Sequence, residues 1–373
     1  MILYHWRGHA PNFGDELNTL LWPALLPDFF DGEPATRLLG IGSVLDSRHP
    51  PQATKVVAGA GYAGYERKPL LDESWIIHWV RGPLTAAVLG LPADLALGDP
   101  AMLLPLAMPC PVPRYSVPQH SVPRRPVVRR LPDVSFPAAS FPTAPFPGGP
   151  FPGGPFPGGP VAGAQPAVGF MPHFESLQRG PWDRAAGMAG VTLIDPREPP
   201  QAVMAAIARC DVLLSESLHG AIIADALRIP WVPLRPLAAI HRDKWHDWAA
   251  TLDVTLRSEH LPATCGAEWL TVRGFCQRHR IRRLLSRHRD ELNGLWPNRF
   301  LDMAAQALQR AATAEAHLSS DTALDRAQSR MLDAVTRLRC DPMRRAHRRS
   351  SVSVAGTGLH RLNKSEYQLR PVG

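Results

Sequence analysis

The chain has 373 residues, of which 45% are hydrophobic, so it is long enough for two domains of ordinary size. Its formal net charge is +8, but residues 341–373 alone carry seven Lys and Arg against two acidic residues. The rest is only mildly basic, which argues against a nucleic-acid-binding protein. The five cysteines are widely spaced, with no His or Cys at zinc-ligand spacing, which argues against a disulfide framework or a structural zinc site.

Strand-like and helix-like segments alternate over residues 1–108, a pattern typical of an α/β domain with a parallel sheet. The strand-like runs are residues 2–6, 55–60 and 75–80, and the helix-like runs are residues 15–26 and 84–89. Glycines follow several of these strands, at the positions where parallel sheets carry their binding loops. We therefore predict a Rossmann-like lobe over residues 1–108.

Residues 109–166 are rich in proline and contain the pentapeptide FPGGP three times. Because proline removes backbone donors and glycine raises the entropic cost of order, this composition predicts a disordered low-complexity linker. Alternation resumes over residues 167–296 and predicts a second Rossmann-like lobe. Two such lobes in tandem predict a cleft between them, where ligands bind.

Residues 297–340 are predicted to form a helical extension, and residues 341–373 a basic, disordered tail. The helical pattern of the extension covers residues 300–317 and 323–338. We find no run of about 18 apolar residues and no signal-peptide pattern at the N-terminus. The expected location is therefore cytoplasmic, and no cofactor or metal ion is expected.

Three polar motifs in the first lobe fall at predicted strand-to-helix junctions, where backbone N–H groups favour anions. They supply four candidate substrate-binding residues: Asn12 and Asp15 in the run NFGDELN, Arg81 in RGPLT and Asp99 in LGDPA. An arginine at a strand end can hold a carboxylate or phosphate with two parallel hydrogen bonds. The alternatives are helix capping by Asn12 or Asp15, a solvated Arg81 and a turn role for Asp99.

A fourth motif, at residues 213–225, places His219 at the start of an apolar helix. The positive end of the helix disfavours an imidazolium unless an anion lies beside it, so His219 is predicted to be a proton donor that an anionic substrate switches on. Ser215, Ser217 and Gly220 are candidate substrate-binding residues around it. The alternative is a structural histidine in the core.

Six runs occur together and in order: NFGDELN, GIGSVL, RGPLTA, LGDPA, MPHF and SLHGAIIADALRIPWV. In combination they resemble the polysaccharide pyruvyl transferase family, in particular its bacterial exopolysaccharide branch, over most of residues 2–255. The resemblance implies a glycosyltransferase-B-like pair of lobes. It also implies phosphoenolpyruvate as donor, an oligosaccharide or lipid-linked oligosaccharide as acceptor, and His219 as the histidine of the family signature.

In the family this histidine often follows Arg-Leu, whereas here Ser217 and Leu218 precede it. We therefore expect Arg81, with Lys244 or Arg242, to supply the missing positive charge at the donor. Phosphoenolpyruvate must gain a proton on its methylene carbon before its central carbon can be attacked, and His219 is the candidate acid.

The sugar hydroxyl needs a general base in the same reaction. Glu216 and His173 are both candidates for this catalytic role, and the sequence does not choose between them.

Two other functions remain open from the sequence. A sugar-nucleotide glycosyltransferase would share the two-lobed architecture. A non-enzymatic binder of membranes or nucleic acid could use the basic residues 278–289 and the basic tail, although nucleic acid is not an expected partner. The same basic residues could give the enzyme a peripheral contact with the cytoplasmic face of the inner membrane.

Overall fold

The computed structural model describes residues 1–8, 10–108, 166–235, 242–272 and 297–340. Most of the proline-rich linker, the basic residues 278–289 and the basic tail lie outside these ranges. The division into five regions therefore stays a prediction.

A four-stranded parallel sheet forms from the first part of the chain, in the order β1-β2-β3-β4. Its strands are β1 Ile2–Tyr4, β2 Thr36–Leu39, β3 Thr54–Ala58 and β4 Trp75–Trp79. The ends of β2 and β3 are fully buried aliphatic residues, as expected for a parallel sheet covered by helices. β2 was not predicted, because its short sequence TRLL contains a charged residue and shows no clear period.

A second sheet has five parallel strands in the order β6-β5-β7-β8-β9. They are β5 Val168–Met171, β6 Thr192–Leu193, β7 Val212–Ser215, β8 Trp231–Arg235 and β9 Glu259–His260. The central strand β7 ends in three buried residues directly before a helix. The prediction of an α/β fold with parallel sheets is therefore confirmed.

Helices connect and cover the strands. They are α1 Phe13–Leu25, α2 Pro83–Leu89, α3 Leu104–Ala107, α4 Phe174–Arg179, α5 Trp182–Ala189, α6 Pro200–Ala208, α7 Leu218–Ala226, α8 Arg242–Ala249, α9 Gly266–Val272, α10 Pro297–Ala312 and α11 Asp321–Cys340. The helices predicted over residues 15–26, 84–89 and 323–338 are present within two residues of their expected ends. α2 begins one residue early, because proline is preset for the first helical position.

The last two helices pack on different sheets. α10 contributes Leu301, Ala304 and Leu308 to a cluster beneath the second sheet. α11 buries an apolar stripe with helical spacing. The stripe packs in a cluster that also includes residues of α1 and apolar residues between positions 97 and 104. The Gln328 side chain donates to the Met102 carbonyl oxygen over 2.8 Å. The C-terminal helix is therefore part of the core around the first sheet.

Within the described ranges, no helix is both long enough and apolar enough to cross a membrane.

Candidate active site

A cavity of about 220 Å³ lies where the carboxyl ends of strands from both sheets meet. It is lined by Trp6, Asn12 and Asp15 after β1, Gly42, Ser43, Val44 and Arg48 after β2, Tyr65 after β3, Arg81 after β4, His173, Phe174 and Glu175 after β5, Ser217, Leu218 and His219 after β7, and Lys244 in α8. Ligands of open parallel sheets bind at this end of the strands. A cavity of about 240 Å³ between α2 and α11 has neither a histidine nor a lysine in its wall, so we place the site in the first cavity.

Four helices begin at this cavity. α1, α4 and α7 start directly after Asn12, His173 and Ser217, and Lys244 is the third residue of α8. The unsatisfied N–H groups and the dipoles of helix N-termini favour negative charge. These helix ends favour an anion in the cavity, although the carboxylates of Asp15 and Glu175 also line it.

His219 lies between Asp99 and Gly14, which both belong to the first part of the chain. Its Nε2 is 3.5 Å from Oδ2 of Asp99, and its side chain is 14% exposed. Asp99 is fully buried, and its Oδ1 accepts a hydrogen bond from the Ala101 N–H. The Nδ1 edge packs on Gly14, where a β-carbon would lie only 1.9 Å from Nδ1. A carboxylate of the protein thus already lies beside the ring, whereas the sequence led us to expect only a substrate anion there.

Arg81 is 1% exposed, which rules out the solvated arginine considered from the sequence. Its Nε donates to Oδ2 of Asp247 over 3.0 Å, Nη1 to Oγ of Ser43 over 2.8 Å, and Nη2 to the Tyr62 carbonyl oxygen over 3.2 Å. A guanidinium has five N–H groups. These bonds use three of the five, and the side chain also lines the cavity.

Lys244 makes no hydrogen bond or ion pair with any residue of the described ranges. Burial, and after it the charge of Arg81, lower the pKa of Lys244 to about 8. Asp15 lies nearby, and burial raises its pKa to about 6. Asn12 occupies the cap position of α1, but its side chain makes no capping hydrogen bond and donates to Oδ2 of Asp15 instead.

Glu216, one of the two candidate bases, lies behind the cavity wall. It is buried and accepts hydrogen bonds from the His173 N–H over 2.8 Å and from the Ser176 hydroxyl over 2.9 Å. Burial raises its pKa to about 7. These contacts hold the end of β7 against the start of α4, so Glu216 has a structural role.

The candidate residues from the sequence fall into two groups, those that line the cavity and those that do not. Asn12, Asp15, Arg81, His173, Ser217, His219 and Lys244 line the cavity, whereas Ser215, Glu216, Gly220 and Asp99 do not. The Ser215 hydroxyl donates to the Ser217 carbonyl oxygen over 2.7 Å, and Gly220 packs closely on Met171 and Ser215. The side chain of Arg242 is outside the described part of the chain.

Two comparisons with known proteins found matches. A family model described as polysaccharide pyruvyl transferase matches residues 174–236, which run from α4 to β8 and include His219. The succinoglycan biosynthesis protein ExoV of Rhizobium meliloti (strain 1021) is 33% identical over 268 residues, covering 71% of this chain and 69% of that protein. The chain belongs to the polysaccharide pyruvyl transferase family. No solved structure matches it significantly.

This member of the polysaccharide pyruvyl transferase family also has cavity residues that sequence reasoning missed. Trp6 and Phe174 form an aromatic pair in the cavity wall, with ring centroids 6.1 Å apart, and Tyr65, which is 41% exposed, also lines the cavity. We call the side with these three rings, one of them at the surface, the aromatic mouth. Trp6 is the last residue of the strand-like run 2–6 and lies two residues beyond β1, so its place at a strand end was the available signal. Arg48, Ser43 and Glu175 were missed as well, and so was Asp247.

The described residues contain no cluster suited to a metal ion.

The raised pKa of Glu216 predicts a pH-dependent stability in this pyruvyl transferase family member. The carboxyl group ionises near 4.5 when unfolded and near 7 when folded, so its contribution to stability is full below pH 4.5 and is lost as the pH rises to 7. From pH 5 to pH 8, the unfolding free energy of the wild type should therefore fall by roughly 1–3 kcal/mol more than that of Glu216→Gln. Urea unfolding at both pH values measures this difference.

The exposed Glu315→Gln is the control for that measurement and should leave the pH profile unchanged. An unaltered profile in Glu216→Gln would contradict the assigned cause of the shift.

Proposed function

We propose that the protein transfers the enolpyruvyl unit of phosphoenolpyruvate to a sugar diol of an exopolysaccharide, or of its lipid-linked precursor, and forms a pyruvate ketal. The observation that carries this proposal is the partly buried Lys244, which has no hydrogen-bond or ion-pair partner among the described residues and shares the cavity with Arg81 and His219. The two sheets are proposed to be the two lobes of a glycosyltransferase-B-like pair. With a lipid-linked acceptor, the reaction would take place at the cytoplasmic face of the inner membrane.

The donor has a phosphate and a carboxylate, and the cavity offers separate groups to each. Lys244 is a compact point charge, and Arg81 presents a planar guanidinium. The N-terminus of α7 at Ser217 adds backbone N–H groups. The cavity is smaller than the roughly 300–1,000 Å³ of sites for drug-sized ligands, as a small anionic donor requires.

In the proposed reaction, His219 protonates the methylene carbon, which becomes a methyl group, with Asp99 behind the ring stabilising the imidazolium. A sugar hydroxyl adds to the central carbon while a base takes its proton. Phosphate then leaves with the electrons of the broken C–O bond, and the neighbouring hydroxyl closes the ketal. Two hydroxyl protons are released. One replaces the proton that the acid supplied, and the other leaves with phosphate.

We assign the general base to His173, because its side chain lines the cavity whereas that of Glu216 does not. A neutral imidazole is the most common general base in enzymes. His173 is the cap residue of α4, next to Phe174, and its Nδ1 accepts a hydrogen bond from the Glu175 N–H over 3.4 Å. The base therefore lies on the side of the cavity where the aromatic mouth opens.

The acceptor is proposed to enter through that aromatic mouth. Trp6 and Phe174 present apolar ring surface beside the polar groups of the donor end. Sites of this type commonly combine aromatic walls with a few placed polar groups. A sugar ring could cover the aromatic surface while its hydroxyls reach the donor.

Incubation with phosphoenolpyruvate and a panel of lipid-linked oligosaccharides tests the function. The expected result is phosphate release together with a matching mass gain of the acceptor. Parallel reactions with sugar nucleotides separate the proposed transfer from glycosyl transfer. Glycosyl transfer, or no phosphate release with any acceptor, would overturn the proposal.

The lowered pKa of Lys244 predicts that donor affinity falls above pH 8. The ammonium loses its proton near pH 8 in the free protein, so the logarithm of the dissociation constant should rise with a slope approaching one per pH unit above it. Lys244→Met should remove this slope and weaken binding at pH 7 by about 1.5–3 kcal/mol, the range for hydrogen bonds to charged groups. Calorimetric titration with phosphoenolpyruvate from pH 7 to 9.5 measures both effects.

Replacement of an exposed lysine, Lys68→Met, is the matched control and should leave the affinity and its slope unchanged. A Lys244→Met variant that keeps the wild-type slope would remove Lys244 from the donor site.

A further inference from the structure

Asp247 in α8 is a buried carboxylate that binds the RGPLT segment of the first part of the chain. It is 1% exposed. Its Oδ2 accepts hydrogen bonds from Arg81 Nε over 3.0 Å and from the Thr85 hydroxyl over 2.6 Å, and its Oδ1 accepts one from the Thr85 N–H over 3.0 Å. Three donors from one short segment thus converge on one carboxylate from a distant part of the sequence.

The contact explains why a glycine stands at the start of α2. Gly82 is the cap residue of α2 and has no side chain to satisfy the helix N–H groups. Asp247 accepts the Thr85 N–H in its place and therefore caps α2 from another helix. A β-carbon on Gly82 would lie 1.9 Å from the Asp247 carbonyl oxygen. Only glycine allows α8 to come this close.

The same helix carries Lys244, three residues before Asp247. Residues three apart lie on neighbouring positions of a helix surface. Asp247 therefore fixes α8 at the point from which Lys244 enters the cavity, and it orients the guanidinium of Arg81 through Nε. One carboxylate thus binds Arg81 and belongs to the same helix as Lys244.

We infer that Asp247 is the positioning residue of the donor site and that Thr85 positions it in turn. This inference rests on the proposed function, because it concerns the binding of phosphoenolpyruvate. Asp247 does not line the cavity, so it acts through Arg81 and Lys244.

Charge and position predict opposite results when Asp247 is replaced by asparagine. Removing a negative charge next to Arg81 leaves more positive potential in the cavity, which alone would strengthen anion binding. Losing the fixed geometry of two cations weakens binding. A loss of affinity in Asp247→Asn is therefore evidence for positioning, and electrostatics alone does not produce it.

The test is calorimetric titration of the full chain with phosphoenolpyruvate at pH 7.5. Asp247→Asn should raise the dissociation constant at least about tenfold, the change expected on losing a hydrogen bond to a charged group. Asp225→Asn is the matched control. Asp225 is also fully buried and accepts hydrogen bonds from the Trp231 indole and from the Ser319 N–H, both over 2.9 Å, but it does not line the cavity. This control should lose stability in urea unfolding and keep its donor affinity within about twofold.

A second pair of variants keeps the test decisive if Asp247→Asn does not fold. Thr85→Val removes, without a change of charge, the hydroxyl that donates to Asp247 and that accepts from the Tyr62 N–H over 3.1 Å, and Thr85→Ser retains it. Thr85→Val should weaken donor binding about three- to tenfold, whereas Thr85→Ser should bind as the wild type does.

Three outcomes would count against the inference. Asp247→Asn binding the donor as tightly as the wild type, or more tightly, would overturn it, and so would equal affinities in the two Thr85 variants. Wild-type protein that binds no phosphoenolpyruvate would overturn the proposed function and this inference with it. Wild-type binding with unchanged variants would overturn this inference alone.

Discussion

Replacing His219 with glutamine should lower turnover about 10²–10⁴-fold while the protein keeps its fold and most of its donor affinity. The range is the usual contribution of general acid–base catalysis. Glutamine can still hydrogen-bond to the Asp99 carboxylate, but it supplies no proton near neutral pH. Asp99 is fully buried behind the ring, so the glutamine amide keeps this carboxylate partnered. Thermal unfolding, calorimetric donor binding and ketal formation are measured on the same preparation.

His317→Gln is the control for the His219 experiment. His317 is a structural histidine that stacks on Trp231 with ring centroids 5.1 Å apart and takes no part in the cavity. Its variant should lose stability and keep turnover. Near-normal turnover of His219→Gln would remove His219 as the acid, and failure of that variant to fold would favour a structural role.

Replacing Arg81 with alanine should have two separate effects. Donor binding should weaken by about 1.5–3 kcal/mol, the range for hydrogen bonds to charged groups. The fold should also lose about 3–5 kcal/mol of unfolding free energy, because Asp247 is left as a buried carboxylate without its cation. Calorimetric titration measures the first effect and urea unfolding the second.

The double variant Arg81→Ala/Asp247→Ala separates the two effects. Removing both charges should restore part of the stability, since no unpaired buried charge remains. Donor affinity should stay low. Recovery of both quantities together would mean that Arg81 contributes to binding only through the fold.

The location of the site could be predicted from the sequence because it follows from a general property of parallel sheets. The motifs of Asn12, Arg81, His173 and His219 all follow strands, and the carboxyl ends of parallel strands meet on one edge. Both sheets direct this edge to the same cavity. Nothing in the local sequence specifies how two sheets are oriented toward each other.

Other positions could not be predicted because their partners are far away in the sequence. Asp247 lies 166 residues from Arg81, and its neighbours HDWAA have the composition of an ordinary helix. Glu216 looked like a site residue because it stands between two serines near His219. Successive side chains at the end of a strand point in opposite directions, so Ser217 lines the cavity whereas Glu216 turns toward α4.

The packing of α11 around the first sheet affects how the chain can fold as it is made. Leu324, Met331 and Leu338 complete the same cluster as Leu21 and Met102. A ribosome releases the strands of the first sheet long before it has added these residues, and newly made chains fold from the N-terminus onward. The nascent first half therefore keeps apolar surface exposed until synthesis reaches α11, and its core closes only after residues 321–340 have emerged.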